Sequence, residues 1–177
     1  MTSLPSNMAV NETDWLSAID TLEAAAARGD GPSMLCAADR LAYGQLSHTL
    51  CTVNRFDAQA MRVVRVYSSN PAAYPAGGSK EKRGTGFGQH VLVERRIFVG
   101  EGAAAIREAF EDHEIISSLG VRSIINVPIV LCDQCLGTIN FSMASERVSP
   151  TQVGAARLSA LLAATAFNLL GLGPAVP

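Results

Sequence analysis

The chain has 177 residues, of which 48% are apolar and 17% charged, and its formal net charge is −2. That length buries roughly two-thirds of the unfolded surface in a single domain, and the near-zero charge argues against a nucleic-acid partner held by electrostatics. Four cysteines are too few for a disulfide scaffold and fit a reduced, cytoplasmic compartment.

No Lys or Arg precedes Arg28 and no long apolar core follows the start, so no signal peptide is expected. The most apolar segment, Leu158 to Leu172, falls short of the roughly 20 residues that span a bilayer, and Thr165 and Asn168 interrupt it. No membrane association is expected.

Residues 1–12 read as a flexible tail. Trp15, Leu16, Ile19 and Leu22 then recur at helical spacing, and Gly29 supplies a stop. Pro32 opens a second helix with Leu35, Ala38, Leu41 and Ala42 on its inner stripe. His48 to Phe56 and Met61 to Ser69 are β-branched strands joined by Asp57-Ala-Gln59. From Asn70 to Gly84 the apolar period vanishes among prolines and glycines. This reads as a long loop of the kind that forms lids and binding segments. A short helix (Phe87 to Glu94), a short strand (Ile97 to Val99), a helix (Ala103 to Phe110) and a turn capped by Asp112 and ended by Gly120 come next. Ser123 to Leu131 and Leu136 to Met143 are strong strands, and Ser149-Pro150 caps a last helix running to about Leu170. Residues 171–177 read as a tail. The order predicts an α+β fold, an antiparallel sheet covered by helices.

Between the last two strands lies Cys132-Asp-Gln-Cys135, with the spacing of a redox pair or half a zinc site. Register decides how to read it. Ile125, Val127 and Ile129 share one face, as do Ile139, Phe141 and Met143. A two-residue turn at Asp133-Gln134 sets Phe141 opposite Asn126 and mixes the faces. Burial of the apolar set therefore demands a loop of other length, or a bulge. An irregular hairpin tip, with no helix N-terminus to activate a thiol and no further zinc ligands, is the favoured reading. Redox sensing is the alternative, and no metal is expected. The same register gathers Ile124, Asn126 and Pro128 with Thr138, Asn140 and Ser142 on the other face. Amides there either meet water or line a polar cavity.

Ser123-Ile-Ile-Asn-Val-Pro-Ile129 followed by Leu136-Gly-Thr-Ile-Asn-Phe141, with the Ser117-Ser-Leu-Gly120 turn and the terminal helices, resembles the GAF domain family. The resemblance covers residues 13–170 as one domain. It implies a six-stranded antiparallel sheet with terminal helices on one face, often dimerising, and a small-molecule pocket on the other. Ile124, Asn126, Asn140 and Ser142 then form the pocket floor, and Ser69 to Phe87 and Phe110 to Leu119 form the lid.

Phe110, Asp112 and Glu114 loosely echo the cyclic-nucleotide signature, without its Asn-Lys portion. No cysteine lies between Cys51 and Cys132 to hold a bilin. Ile124, Asn140 and Ser142 stand where the free methionine-(R)-sulfoxide reductase branch carries carboxylates.

His90 and His113 are candidate polar contacts, or else surface and cap residues. Tyr74, Phe87, Phe98 and Phe110 wall the pocket or belong to the core. Lys80, Lys82 and Arg83 meet an acidic ligand or are simply solvated. The expectation is a stand-alone, non-catalytic sensor of a small polar metabolite, without a cofactor and dimeric through its terminal helices. A sulfoxide-reductase-type enzyme and a ligand-free dimerisation scaffold are the alternatives.

Overall fold

The computed structural model describes residues 12–173. The expected tails lie outside the described residues except for Glu12, which opens the first helix, and residues 171–173. In chain order the elements are α1 (Glu12–Arg28), α2 (Gly31–Leu46), β1 (His48–Asp57), β2 (Arg62–Ser68), β3 (Ser79–Glu81), a π-helical turn (Gly88–Val93), β4 (Phe98–Glu101), α3 (Gly102–Ala109), α4 (His113–Ser118), β5 (Ser123–Leu131), β6 (Gln134–Met143) and α5 (Pro150–Leu169). The strands form one antiparallel six-stranded sheet in the order β3-β2-β1-β6-β5-β4. The α+β expectation is met. No helix among the described residues is long and apolar enough to cross a membrane.

The helix ends follow from local chemistry. Gly29 leaves α1 at φ +68°. Asp30 caps α2, accepting from the Ser33 amide at 3.0 Å. At α5, Ser149 accepts from the Gln152 amide at 3.2 Å and the Gln152 side chain accepts from the Ser149 amide at 2.8 Å, a reciprocal capping box.

The pleat divides the sheet into two chemistries. Cys51, Val53, Ile125, Val127, Ile129, Ile139, Phe141 and Met143 face α2 and α5 and pack there with Leu35, Leu46 and Phe167. Ile125 pairs with Phe141 and Val127 with Ile139 across the ladder, the register that keeps the apolar set together. A bulge after Ile129 achieves it, combined with a two-residue turn at Cys132-Asp133, both at positive φ (+48° and +59°). The bulge was expected. The turn sits one residue earlier than the rejected Asp133-Gln134 alternative.

Three differences from the sequence reading have physical causes. Ser79–Glu81, inside the expected loop, forms the edge strand β3, because β2 offers it a free ladder although its own three residues carry no apolar alternation. In α1 the buried residues are Ala18 and Ala25, while Trp15 and Leu16 are exposed.

Likewise α5 buries Ala156, Ala160, Ala163 and Phe167 against the core and leaves Leu158, Leu161 and Leu169 exposed. The sequence of α5 also offers Ala156, Ala160, Ala163 and Phe167 as a small-residue stripe for close approach to a partner, and their burial corrects that expectation. The alanines let α5 approach the sheet and α2 closely, and that close approach makes the core of the chain.

Candidate functional site

The second face of the sheet is the floor of a partly open cavity of about 90 Å³. Across four strands, Thr52, Asn140, Asn126 and Phe98 stand opposite one another in a single row. Asn140 Nδ2 donates to the Thr52 carbonyl at 3.2 Å and to Thr52 Oγ1 at 3.1 Å. A carbonyl only accepts, so the Asn140 amide has one orientation. Its Oδ1 must face β5, where it accepts from Asn126 Nδ2 at 2.6 Å. Asn126 is oriented in turn, and its Oδ1 is left buried without a partner. One row away, Asn54 donates to Thr138 Oγ1 at 3.3 Å.

The wall over β2 depends on an irregularity. A bulge in the β1–β2 ladder sets Tyr67 opposite Val53 and Arg65 opposite Asn54. Tyr67 therefore faces the helices and Arg65 the cavity, although regular alternation would put both on one side. The lid loop clasps Arg65, whose amide donates to the Gly78 carbonyl and whose carbonyl accepts from the Gly77 amide, both at 2.8 Å. Its guanidinium lies 4.7 Å over the Tyr74 ring. A Cβ at Gly78 would sit 2.9 Å from that guanidinium, so glycine makes the room.

The lid is latched at Asp112. Its carboxylate takes Lys80 Nζ at 2.6 Å and the Tyr74 hydroxyl at 3.2 Å, joining the loop after β2 to the N-terminus of α4. Burial pushes the Asp112 pKa up, but the hydrogen bond and charge of Lys80 outweigh it and hold the carboxyl below its ordinary value. Burial and Asp112 together push the Tyr74 phenol up to about 12, so it stays a neutral donor. Ile106, Ile116, Val121 and Ile124 form a small core that seats α3 and α4 on the floor.

Seven of the expected residues line this cavity: Asn126, Asn140, Ser142, Ile124, Tyr74, Phe87 and Phe110. His90 and His113 do not. They line a larger open cleft of about 860 Å³ outside, and Phe87 and Phe110 border both spaces. Phe87, Phe98 and Phe110 meet edge-on or tilted at 5.4–5.9 Å between centroids. His90 Nε2 is tied to the Ile97 carbonyl at 3.1 Å. Unanticipated at the cavity are Thr52, Asn54 and Arg65, whereas Thr138 and Asp112 lie on the expected floor face and lid. The alternation of β1, once β1 is known to neighbour β6, would have found the first two.

Neither Cys132 nor Cys135 lines the cavity. Cys132 is exposed on the turn and Cys135 half-buried, where burial pushes its thiol up to about 11. On the helix side, ligating atoms of Asp39, His48 and Cys51 lie within 4.8 Å of one another. Asp39 is already engaged by His48 Nε2 at 2.6 Å and the Tyr67 hydroxyl at 2.7 Å. The group serves as an internal tie between α2, β1 and β2.

A six-stranded antiparallel sheet with its terminal helices on one face and a lidded polar cavity on the other defines an α+β domain of the GAF-like type. The family model of the GAF domain matches residues 33–167, and the chain belongs to the GAF domain family. The chain is similar in fold to the GAF domain of an Acinetobacter phosphoenolpyruvate-protein phosphotransferase (17% identity, TM-score 0.65, covering 94% of this chain and 98% of that one). A phycoerythrobilin-bound GAF domain from a cyanobacterial phytochrome is similar as well (13%, TM-score 0.66, 97% and 98%). So is a methyl-accepting chemotaxis protein segment, residues 122 to 287 (18%, TM-score 0.65, 88% and 99%). No curated protein matches the chain in sequence. GAF domains typically serve as sensory, ligand-binding parts of signalling proteins.

Two outcomes follow. Asp112 is ionised in the fold at pH values where the unfolded chain is already protonated. Its contribution is therefore present above the ordinary carboxylate value of 3.8 and is lost as pH falls through its depressed value. Asp112→Asn should lower the melting temperature at neutral pH by about 2–4 °C, and the gap to the parent should close on acidification. A gap that persists at the lowest pH would show that the latch is not ionic. For the hairpin, a Cys132→Ser/Cys135→Ser variant should melt with the parent, and thiol labelling of the native parent at neutral pH should reach Cys132 but spare Cys135. Rapid labelling of Cys135 would contradict its buried setting.

Proposed function

We propose that the chain is a non-catalytic GAF sensor, that its cavity takes a small polar metabolite, and that it acts in the cytoplasm as a homodimer through its terminal helices. The observation that carries the ligand reading is Asn126 Oδ1, a buried acceptor on the cavity floor whose orientation is dictated through Asn140 by the Thr52 carbonyl. A buried acceptor left unpaired costs on the order of 1–3 kcal/mol, and a ligand donor removes that cost. A pocket filled by its own side chains, as in a scaffold, would leave the cost standing. The floor offers amides and hydroxyls but no carboxylate or thiol, which favours binding over sulfoxide-reductase chemistry.

Asn126, Asn140, Ser142, Ile124, Tyr74, Phe87 and Phe110 contact the ligand in this reading. His90 and His113 do so only for a ligand that extends past the phenylalanine partition. The test is native mass spectrometry of the protein as purified from cells, with density for a copurified molecule as confirmation. Asn140→Leu removes both anchors of the floor and should weaken retention of that molecule about tenfold or more. Undiminished retention would sink the assignment.

The dimer reading rests on the exposed apolar side chains of the terminal helices: Trp15 and Leu16 on α1, and Leu158, Leu161 and Leu169 on α5. Leu158→Glu with Leu161→Glu should give folded monomers in sedimentation. Ala163→Glu, which places a charge in the core, should unfold the chain instead. A parent that sediments as a monomer at micromolar concentration refutes the dimer.

A further inference from the structure

The charges around the cavity do not balance. Arg65, Lys80 and Lys82 line it, and Asp112 is the one carboxylate among the lining residues. Asp112 is taken by Lys80 at 2.6 Å. Neither Arg65 nor Lys82 makes an ion pair among the described residues. Asp112 also acts at longer range on Lys82 and Arg65, and exposed Glu111, outside the lining, acts on Lys82, so one lining carboxylate is shared among three cations.

Both cations are nonetheless held in place. The Arg65 guanidinium donates to the Pro75 carbonyl at 3.0 Å, yet its Nε–H is buried without an acceptor. The Lys82 amide donates to the Met61 carbonyl at 2.7 Å, and the Lys82 carbonyl accepts from the Thr85 hydroxyl at 2.9 Å. Gly88 leaves space for that carbonyl, which a Cβ would strike. The Lys82 ammonium lies 5.0 Å over the Phe87 ring, at the inner wall.

Two buried polar atoms without partners thus belong to residues of one cavity, and they are of opposite kind. Arg65 Nε is a cationic donor in want of an acceptor, and Asn126 Oδ1 is an acceptor in want of a donor. We infer that the cavity binds a small organic or inorganic anion that also carries a hydrogen-bond donor, with its negative oxygens toward Arg65 and Lys82 and its hydroxyl or amino group on Asn126. The inference rests on the pocket reading above and narrows its ligand to one chemical class. A cavity near 150 Å³ holds about six carbon atoms as benzene. On that scale the 90 Å³ found here admits a ligand of about four or five non-hydrogen atoms. A hydroxy-carboxylate and a phosphate monoanion both meet these terms, because each has anionic oxygens and a donor within that size.

The test uses four probes of similar size on ligand-stripped full-length protein, followed by calorimetry and thermal shift. They are glycolate (anion with donor), inorganic phosphate (anion with donor), acetate (anion without donor) and glycolamide (donor without charge). Glycolate or phosphate should bind and raise the melting temperature, acetate should bind about tenfold more weakly, and glycolamide should not bind at millimolar concentration. Preference for glycolate assigns a carboxylate ligand, and preference for phosphate a phosphoryl one.

Lys82→Gln should weaken the bound anion on the order of tenfold to a hundredfold. Lys82→Arg, which keeps the charge if the longer side chain alters packing, should retain most of the affinity. Glycolamide binding as well as glycolate, an unaltered affinity in Lys82→Gln, or no binding by either donor-bearing anion overturns the inference. The pocket reading stands or falls separately, on the copurified molecule and its loss in Asn140→Leu. Acetate binding as tightly as glycolate overturns the part assigned to Asn126.

Discussion

Asn140 is held from two sides at the middle of the sheet. Its amide nitrogen is fixed by the Thr52 carbonyl of β1, and its oxygen takes the Asn126 amide of β5. Because a backbone carbonyl cannot donate, the whole row has one hydrogen-bonding sense, and the surplus acceptor always appears at Asn126. A polar row of this kind at the centre of a sheet is costly unless something completes it. The rest of the cavity side is arranged around that incomplete row: phenyl groups and cations in the walls, which meet where Lys82 lies over Phe87, and a latched loop above.

The two faces of the sheet solve opposite problems with the same strands. On the helix side, burial is nearly complete and small residues matter most. Ala156, Ala160 and Ala163 bring α5 close to the sheet, and Ala18 and Ala25 are buried where α1 packs on α2. On the cavity side, space is kept open by polar residues that bond sideways along the row instead of upward into the void. The β2 bulge serves both faces at once, sending Tyr67 to Asp39 on the helix side and Arg65 to the cavity.

Much of this could be read from period alone. Strict alternation in β5 and β6 gave the register and set Ile124, Asn126, Asn140 and Ser142 on one face, and the family resemblance made that face a pocket floor. Proline and glycine punctuation gave the helix ends, and the paired strand motifs gave the family. What was not legible arises where structure is non-local or irregular. Arg65 is hidden by a bulge that no local pattern announces, and β3 by pairing that depends on β2. Lys80 and Lys82 looked like a solvated charge run, because only the folded loop turns them inward. The terminal helices misled for a different reason. Size suggests that leucines go inside and alanines tolerate either side, yet where two helices and a sheet crowd together the smaller residue packs the interior.

β1 is a single strand thick, and the row and the helix core share it. Thr52 holds the floor amide, while its chain neighbours Cys51 and Val53 are fully buried against the helices. Four residues before Thr52, His48 grips Asp39 of α2. A pull or push on the Thr52 carbonyl therefore needs no relay of side chains to reach the far face, since the backbone that carries it also carries the helix contacts. Strand β1 is thus common property of the cavity floor and the packing of α2, and a shift of its backbone on one face is a shift on the other.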